Sequence, residues 1–136
     1  MPSGTLFKQE NHFTLEVIME TSYFSHPGIS SDPRAVSIAR YAPRWWGKGR
    51  RFIQLAPSAA LLQAAKDGLL WPEYVRRYNK EVLSILDPAS IYAELQNSIL
   101  ICYERDPREC HRSLVASWIE QALGVIVLEM TQARVH

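Results

Sequence analysis

SILICYERDPRECHRSLVASWIEQALGVIVLE, residues 98–129, is the stretch that decides the fold. SILICY is apolar on both alternating faces, as a strand buried on both sides of a sheet must be. Asp106-Pro107 then supplies an N-cap and a first-turn proline, and Glu109 stands three places after Asp106 in the pattern of a capping box. A long helix is therefore expected from that point, with Leu114, Val115, Trp118, Ile119, Ala122 and Leu123 as its buried stripe and Gly124 as its stop. Residues 125–129, VIVLE, read as a final strand. Strand, helix, strand in this order is a βαβ unit, which requires parallel pairing and a right-handed crossover.

Upstream, TLEVIME at residues 14–20 has strand-like apolar content, and Thr21, Ser22 and Tyr23 suit a strand end. Residues 35–39 form a second, shorter candidate strand after the turn-rich HPGISSDP. In RYAPRWWGKGRRF, Pro43, Gly47 and Gly49 oppose a regular element, while Trp45, Trp46 and Phe52 oppose simple solvation, so an ordered surface loop is expected. Ser58 caps a short helix running to Lys66, with Gly68 beyond it. After Pro72, Tyr74, Val75, Tyr78, Val82, Ile85 and Leu86 recur at helical spacing on an otherwise charged segment. Asp87-Pro88 starts a further short helix ending near Leu95. No internal repeat or low-complexity tract is visible.

The 136 residues, 47% of them hydrophobic, suffice for one domain with a real core but not for two. The polar N-terminus is unlike a signal peptide, and no apolar run approaches the roughly 20 residues needed to cross a bilayer, so a cytoplasmic protein without membrane association is expected. Residues 1–11 and 131–136 read as tails of a single domain. Cys102 and Cys110 fall on a strand and on the next helix, and reduced thiols rather than a structural disulfide are the expectation. Net charge is only +1, but residues 34–66 carry seven basic groups and no acidic one, leaving a formal −6 elsewhere. Such asymmetry marks either an anion-facing surface or a solvated basic loop.

Chemistry concentrates at the corner between residues 101 and 118. Glu104, directly after the buried strand, lies where ligands bind in open α/β sheets and is the candidate nucleophile or general acid/base. An ion pair with Arg105 or Arg108 is the alternative. Cys110 and His111 fall in or just before a helix's first turn, where the macrodipole favours a thiolate or a bound anion. Neighbouring helical residues point about 100° apart, however, so the two need not act as nucleophile and base. Arg112 is suited either to bidentate anion binding or to anchoring Glu104. The Cys102-x5-Arg108 spacing invites comparison with the oxyanion loops of cysteine phosphatases. The comparison fails, because YERDP has no glycine, carries two acids, and spends one position on a proline without an amide.

Cys102, Cys110 and His111 offer at most three metal ligands and no paired CxxC or HExxH spacing, so no metal is expected. The absence of a glycine-rich phosphate loop likewise argues against a classical nucleotide cofactor. The other candidate wall is residues 37–52, where Arg40, Arg44, Lys48, Arg50 and Arg51 interleave with Tyr41, Trp45 and Trp46. Basic groups neutralise phosphates and aromatic faces stack on bases, a composition suited to a nucleotide or a single strand. Core anchoring is the better reading for Trp46, and recognition remains open for Arg40, Tyr41 and Arg44.

These segments resemble the family called domain of unknown function 488. The resemblance rests on TSYF at 21–24, VSIARYAPRWWGKGRRFIQLAPS at 36–58, KDG at 66–68 and CYERDPRECHRSLVASWI at 102–119, and it covers most of the chain. It implies a small cytosolic α/β domain of bacterial, archaeal or phage type with its shared polar residues in those segments, and it supplies no reaction. The stretch between Tyr23 and Val36 is shorter than in many members, which implies a reduced lid.

Together these readings predict a three-layer αβα sandwich with a mainly parallel, Rossmann-like sheet. The site is expected where Thr21, Ser22 and Tyr23, then Arg40, Tyr41, Arg44 and Trp45, and finally Tyr103, Glu104, Cys110, His111 and Arg112 converge. Two functions fit: an enzyme acting on a nucleotide or a nucleic-acid base or sugar, and a non-catalytic module binding nucleic acid or a partner protein through the basic-aromatic loop. The composition sets no oligomeric state.

Overall fold

A computed structural model describes residues 19–130. Five strands form one sheet: β1 (Met19–Tyr23), β2 (Ala35–Ser37), β3 (Arg50–Arg51), β4 (Ile99–Cys102) and β5 (Val127–Glu129). Among the described residues four helices accompany them: α1 (Ala59–Lys66), α2 (Trp71–Glu81), α3 (Pro88–Glu94) and α4 (His111–Leu123). The sheet order is β3-β2-β4-β1-β5, and every pairing is parallel. The expected α/β sandwich around a parallel sheet is thus what the chain forms. No helix among the described residues is long and apolar enough to cross a membrane.

The right-handed crossover rule explains how the layers are filled. From β1 to β2 to β3 the chain moves in one direction along the sheet, and from β3 to β4 to β5 it moves back. Right-handed connections of opposite direction must lie on opposite faces. All four helices belong to the return path, and all contribute to one large core with Leu100 and Cys102 of β4. Ile99 and Ile101 face the other way, into a smaller cluster closed by Phe24, Ile29 and Trp46. The third layer is therefore built from the β1–β2 and β2–β3 connections, which contain only single 3-10 turns, and not from α-helices. Burial of all four β4 residues on both faces is the outcome the SILICY pattern requires.

Several local expectations meet their geometry. Ser58 accepts a hydrogen bond from the Leu61 amide at 3.0 Å, and Asp87 accepts one from the Ser90 amide at 3.1 Å, each capping its helix. Gly124 ends α4 in the left-handed region at φ 71°, which a side chain would disfavour. Other expectations shift. The first strand extends through Tyr23, and residues 14–18 lie outside the described residues, as do the predicted tails. The stripe assigned to α2 breaks at Val82, where a 3-10 turn over Leu83–Ile85 buries Leu83 and leaves Ile85 75% exposed. Arg50–Arg51 pairs with β2 as a strand inside what reads as loop.

The largest shift concerns α4. Asp106 caps only a single 3-10 turn, Pro107–Glu109, by accepting from the Arg108 amide at 2.9 Å. Cys110 then takes an extended conformation, φ −133° and ψ 142°, and α4 begins at His111 with no side-chain cap. The helix start is displaced because the extended Cys110 separates this single turn from the helix that follows, while the Asp106 carboxylate pairs with the Arg108 amide and with its guanidinium at 2.8 Å.

Candidate active site

β2 and β4 are neighbours whose following connections leave in opposite directions, so their carboxyl ends flank the crevice where open α/β sheets bind ligands. A cavity of about 770 Å³ opens there. Its floor is formed by Ala39 and Arg40 after β2, Cys102 at the end of β4 with Tyr103 and Glu104 after it, and Glu109 and Cys110 leading into His111 at the start of α4. Its far wall comes from α1 and the start of α2, including Lys66, Trp71 and Tyr74.

Of the residues singled out in the sequence, Glu104, Cys110, His111, Arg40, Tyr41 and Tyr103 line this cavity together. Arg40 donates to the Pro57 carbonyl at 2.5 Å, which fixes its stem at the rim. Tyr103 donates to the Tyr41 carbonyl at 2.6 Å, tying the β4 end to the basic-aromatic loop. Burial pushes the Tyr103 phenol above its ordinary range, with Arg51 opposing.

The remaining predicted residues lie elsewhere. Arg112 is 0% exposed and spends all five N–H donors inside the protein. Two go to the Glu129 carboxylate at 2.9 Å each, others to the Glu104 carbonyl at 2.5 Å and the Arg105 carbonyl at 3.1 Å, and one to the Cys102 sulfur at 3.3 Å. It anchors the Glu104 backbone and has no donor left for a ligand anion. Thr21 donates to the same Glu129 carboxylate at 2.6 Å, and the Tyr23 ring lies 5.8 Å from the Arg112 guanidinium carbon. The Ser22 hydroxyl is buried with no hydrogen-bond partner among the described residues. Arg44 and Trp45 sit on the basic-aromatic loop outside the cavity, Trp45 55% exposed with its ring edge to Phe24 and Trp46. Trp46 is buried and donates to the Arg50 carbonyl at 3.0 Å, the core anchor expected of it.

His111 is buried, and its Nε2 lies 2.8 Å from the Ile38 carbonyl. A carbonyl only accepts, so Nε2 carries the proton. Burial lowers the His111 pKa to about 4, against the Ile38 bond and with help from the Arg112 charge, so the ring is neutral near pH 7 and Nδ1 holds a lone pair. A ladder of rings leads to it from the cavity mouth: Trp71 on Tyr74 at 5.1 Å, Tyr74 on Tyr78 at 6.2 Å, Tyr78 against His111 at 5.5 Å. Tyr78 is anchored by donating to the Leu55 carbonyl at 2.6 Å.

Where the sequence reading keeps the two thiols apart, the fold brings the Cys102 and Cys110 sulfurs together in a paired arrangement, with their Cα atoms 7.1 Å apart. The short 3-10 turn and the extended Cys110 return the chain to the end of β4, which a helix starting at Asp106 would not do. The same return brings the two sulfurs and a His111 ring nitrogen within 4.8 Å of one another.

Sequence reasoning missed Glu109, Lys66 and Trp71 as members of the site. Glu109 is absorbed into a capping box that does not form, Lys66 enters only as a helix end and in the KDG segment, and Trp71 carries no reading in the sequence. A hydrophobic Trp-Pro helix start followed three residues later by a tyrosine is the signal available for the wall.

A protein-family model described as "Active DUF488-N3 subclade", DUF488-N3a, matches residues 21–123, about three quarters of the chain. No curated protein and no solved structure matches.

Proposed function

The chain belongs to the DUF488-N3a family, and from the composition of its cavity we propose an enzyme acting on a nucleotide or on a nucleic-acid base or sugar. The observation that carries this reading is the composition of one concave site. A cavity of about 770 Å³ is of the size that encloses a small ligand, and it combines carboxylates (Glu104, Glu109), cations (Arg40, Lys66) and aromatic faces (Tyr41, Trp71, Tyr74). Cations suit phosphate or other anionic groups, and flat rings suit a base. Glu104 is the proposed nucleophile or general acid/base, its position fixed by the Arg112 bond to its own carbonyl. Glu109 places a second carboxylate on the same cavity. Cys110 and His111 complete the floor.

The test is a panel of nucleosides, nucleotides and short oligonucleotides assayed for turnover and for binding. Glu104→Gln is expected to lower kcat by about 100-fold or more, the range for loss of a general acid or base, while leaving KM within a few-fold. Unchanged turnover in that variant removes Glu104 from the chemistry, and a panel with neither binding nor turnover overturns the substrate class.

A second reading has its own observation. Tyr41 and Trp45 are 63% and 55% exposed on a loop whose Arg44, Arg50 and Arg51 are also exposed, the arrangement that binds a single strand without catalysis. It requires binding that falls steeply with salt, survives Glu104→Gln and is lost in Trp45→Ala.

A further inference from the structure

Three side chains of the cavity floor have a property that neither the proposed acid/base role nor the substrate class uses. The Cys102 and Cys110 sulfurs and a ring nitrogen of His111 lie within 4.8 Å of one another, all three residues are buried, and all three line the cavity. We propose that, with the cysteines reduced, Cys102, Cys110 and His111 form a three-ligand site for a zinc-class divalent cation whose fourth position opens to the cavity.

The donor set is chemically matched to that ion. Two thiolates and one imidazole are ligands of the borderline-soft zinc ion, and three protein ligands with one open position is the pattern of zinc sites that keep a water. Charge balances as well, since two thiolates neutralise a divalent cation and a neutral imidazole adds nothing. The surroundings are those of a prepared ligand shell. His111 gives its Nε2 proton to the Ile38 carbonyl at 2.8 Å, the outer-shell bond that orients a ligating histidine and leaves Nδ1 to coordinate. Arg112 donates to the Cys102 sulfur at 3.3 Å, which favours the thiolate. Its own charge is met by the bidentate Glu129 carboxylate, so it does not repel the metal as a bare cation would.

The backbone spacing fits a metal better than a direct bond. The Cα atoms of Cys102 and Cys110 are 7.1 Å apart, whereas disulfides span about 4.4–6.8 Å. Two zinc–sulfur bonds of about 2.3 Å at a tetrahedral angle hold their sulfurs about 3.8 Å apart, which a wider Cα spacing accommodates. Disulfide and metal are thus alternative states of the same two sulfurs. Passing from one to the other takes two electrons and two protons from a dithiol, which closes to its own disulfide. Metal binding then releases the two thiol protons.

The site requires no substrate, so its test is separate from the one above. The full chain is reduced anaerobically with a dithiol, freed of reductant, and titrated with cobalt(II) alone and then with zinc(II). One equivalent of cobalt is expected to give tetrahedral d–d bands and thiolate-to-cobalt charge transfer, and zinc is expected to displace it and shield both cysteines from alkylation. Cys110→Ser and His111→Gln, the latter retaining an N–H for the Ile38 carbonyl, are expected to weaken binding by more than the 10–100-fold typical of outer-shell changes. A reduced wild-type chain that takes up no cobalt, gives no charge transfer, or leaves its thiols open to alkylation overturns the proposal. So does undiminished binding in a folded Cys110→Ser variant. The wild-type result decides the matter even where a variant fails to fold.

Discussion

Arg112 shows how a single buried side chain can govern a site without facing it. Its guanidinium joins the β5 carboxylate of Glu129 to the carbonyls of Glu104 and Arg105, so the loop after β4 is held from behind the sheet. Removing one partner of a buried pair strands the other, and Arg112→Met is expected to lower stability by about 3 kcal/mol in urea unfolding, the low end for a pair whose carboxylate is partly exposed. In the double variant with Glu129→Leu the losses should not add, because the second change removes the charge that the first leaves unpaired. Gly49 is constrained by a different neighbour. A Cβ there would lie 2.6 Å from the Trp46 indole, so Gly49→Ala is expected to cost about 1–3 kcal/mol and to alter the tryptophan fluorescence of the folded state. The sequence leaves Arg112 open between an anion ligand and an anchor for Glu104, and the structure takes the second; the Gly49 constraint is not legible, since a glycine between two basic residues reads as loop.

At the scale of elements, the four-residue displacement of α4 separates what sequence reveals from what it does not. Caps at Ser58 and Asp87 are local, made between residues three apart, and both were legible for that reason. Ser58→Ala is expected to cost about 1 kcal/mol, read from urea unfolding. Asp106-Pro107 carries the same local signature, yet it closes only one 3-10 turn before the extended Cys110, and its carboxylate is engaged by the Arg108 side chain and amide. That engagement sets a pH signature. The Arg108 hydrogen bonds hold the Asp106 pKa at about 2, below the ordinary value of 3.8. A depressed carboxylate stabilises the turn above its unfolded pKa and gives up that contribution as pH falls through the folded value. The Asp106 carboxyl carbon should therefore titrate near pH 2 by NMR and move back towards the ordinary value in Arg108→Ala. A midpoint already at the ordinary value in the wild-type chain would mean the turn is not held this way. The convergence of Cys102, Cys110 and His111 depends on this turn, which is why counting ligands along the sequence did not reveal it. β3 escaped notice for a related reason, since two exposed arginines carry no alternation of apolar residues.

At the scale of the molecule, a βαβ pattern announces a parallel sheet but not which face each connection covers. That follows only from the strand order, which puts the helices on one face and the aromatic loops on the other. The same order opens the crevice between β2 and β4, so the cavity's location on the sheet was legible in SILICYERD, while its α1 and α2 wall depended on packing between segments distant in sequence. The basic-aromatic loop consequently has two roles divided between adjacent residues. Trp46 is buried against Ile99 and Ile101 with its indole nitrogen bonded, so Trp46→Ala removes part of the second face and is expected to cost about 3–5 kcal/mol. Trp45 lies outside that cluster, and Trp45→Ala should change stability by less than about 1 kcal/mol. Chemical unfolding of the two variants side by side tests the division. Equal losses would show that the exposed ring is also part of the third layer, and would leave a binding role for the loop resting on Tyr41 and its arginines alone. A large loss confined to Trp46→Ala would leave Trp45 as a residue whose exposure the fold itself does not require.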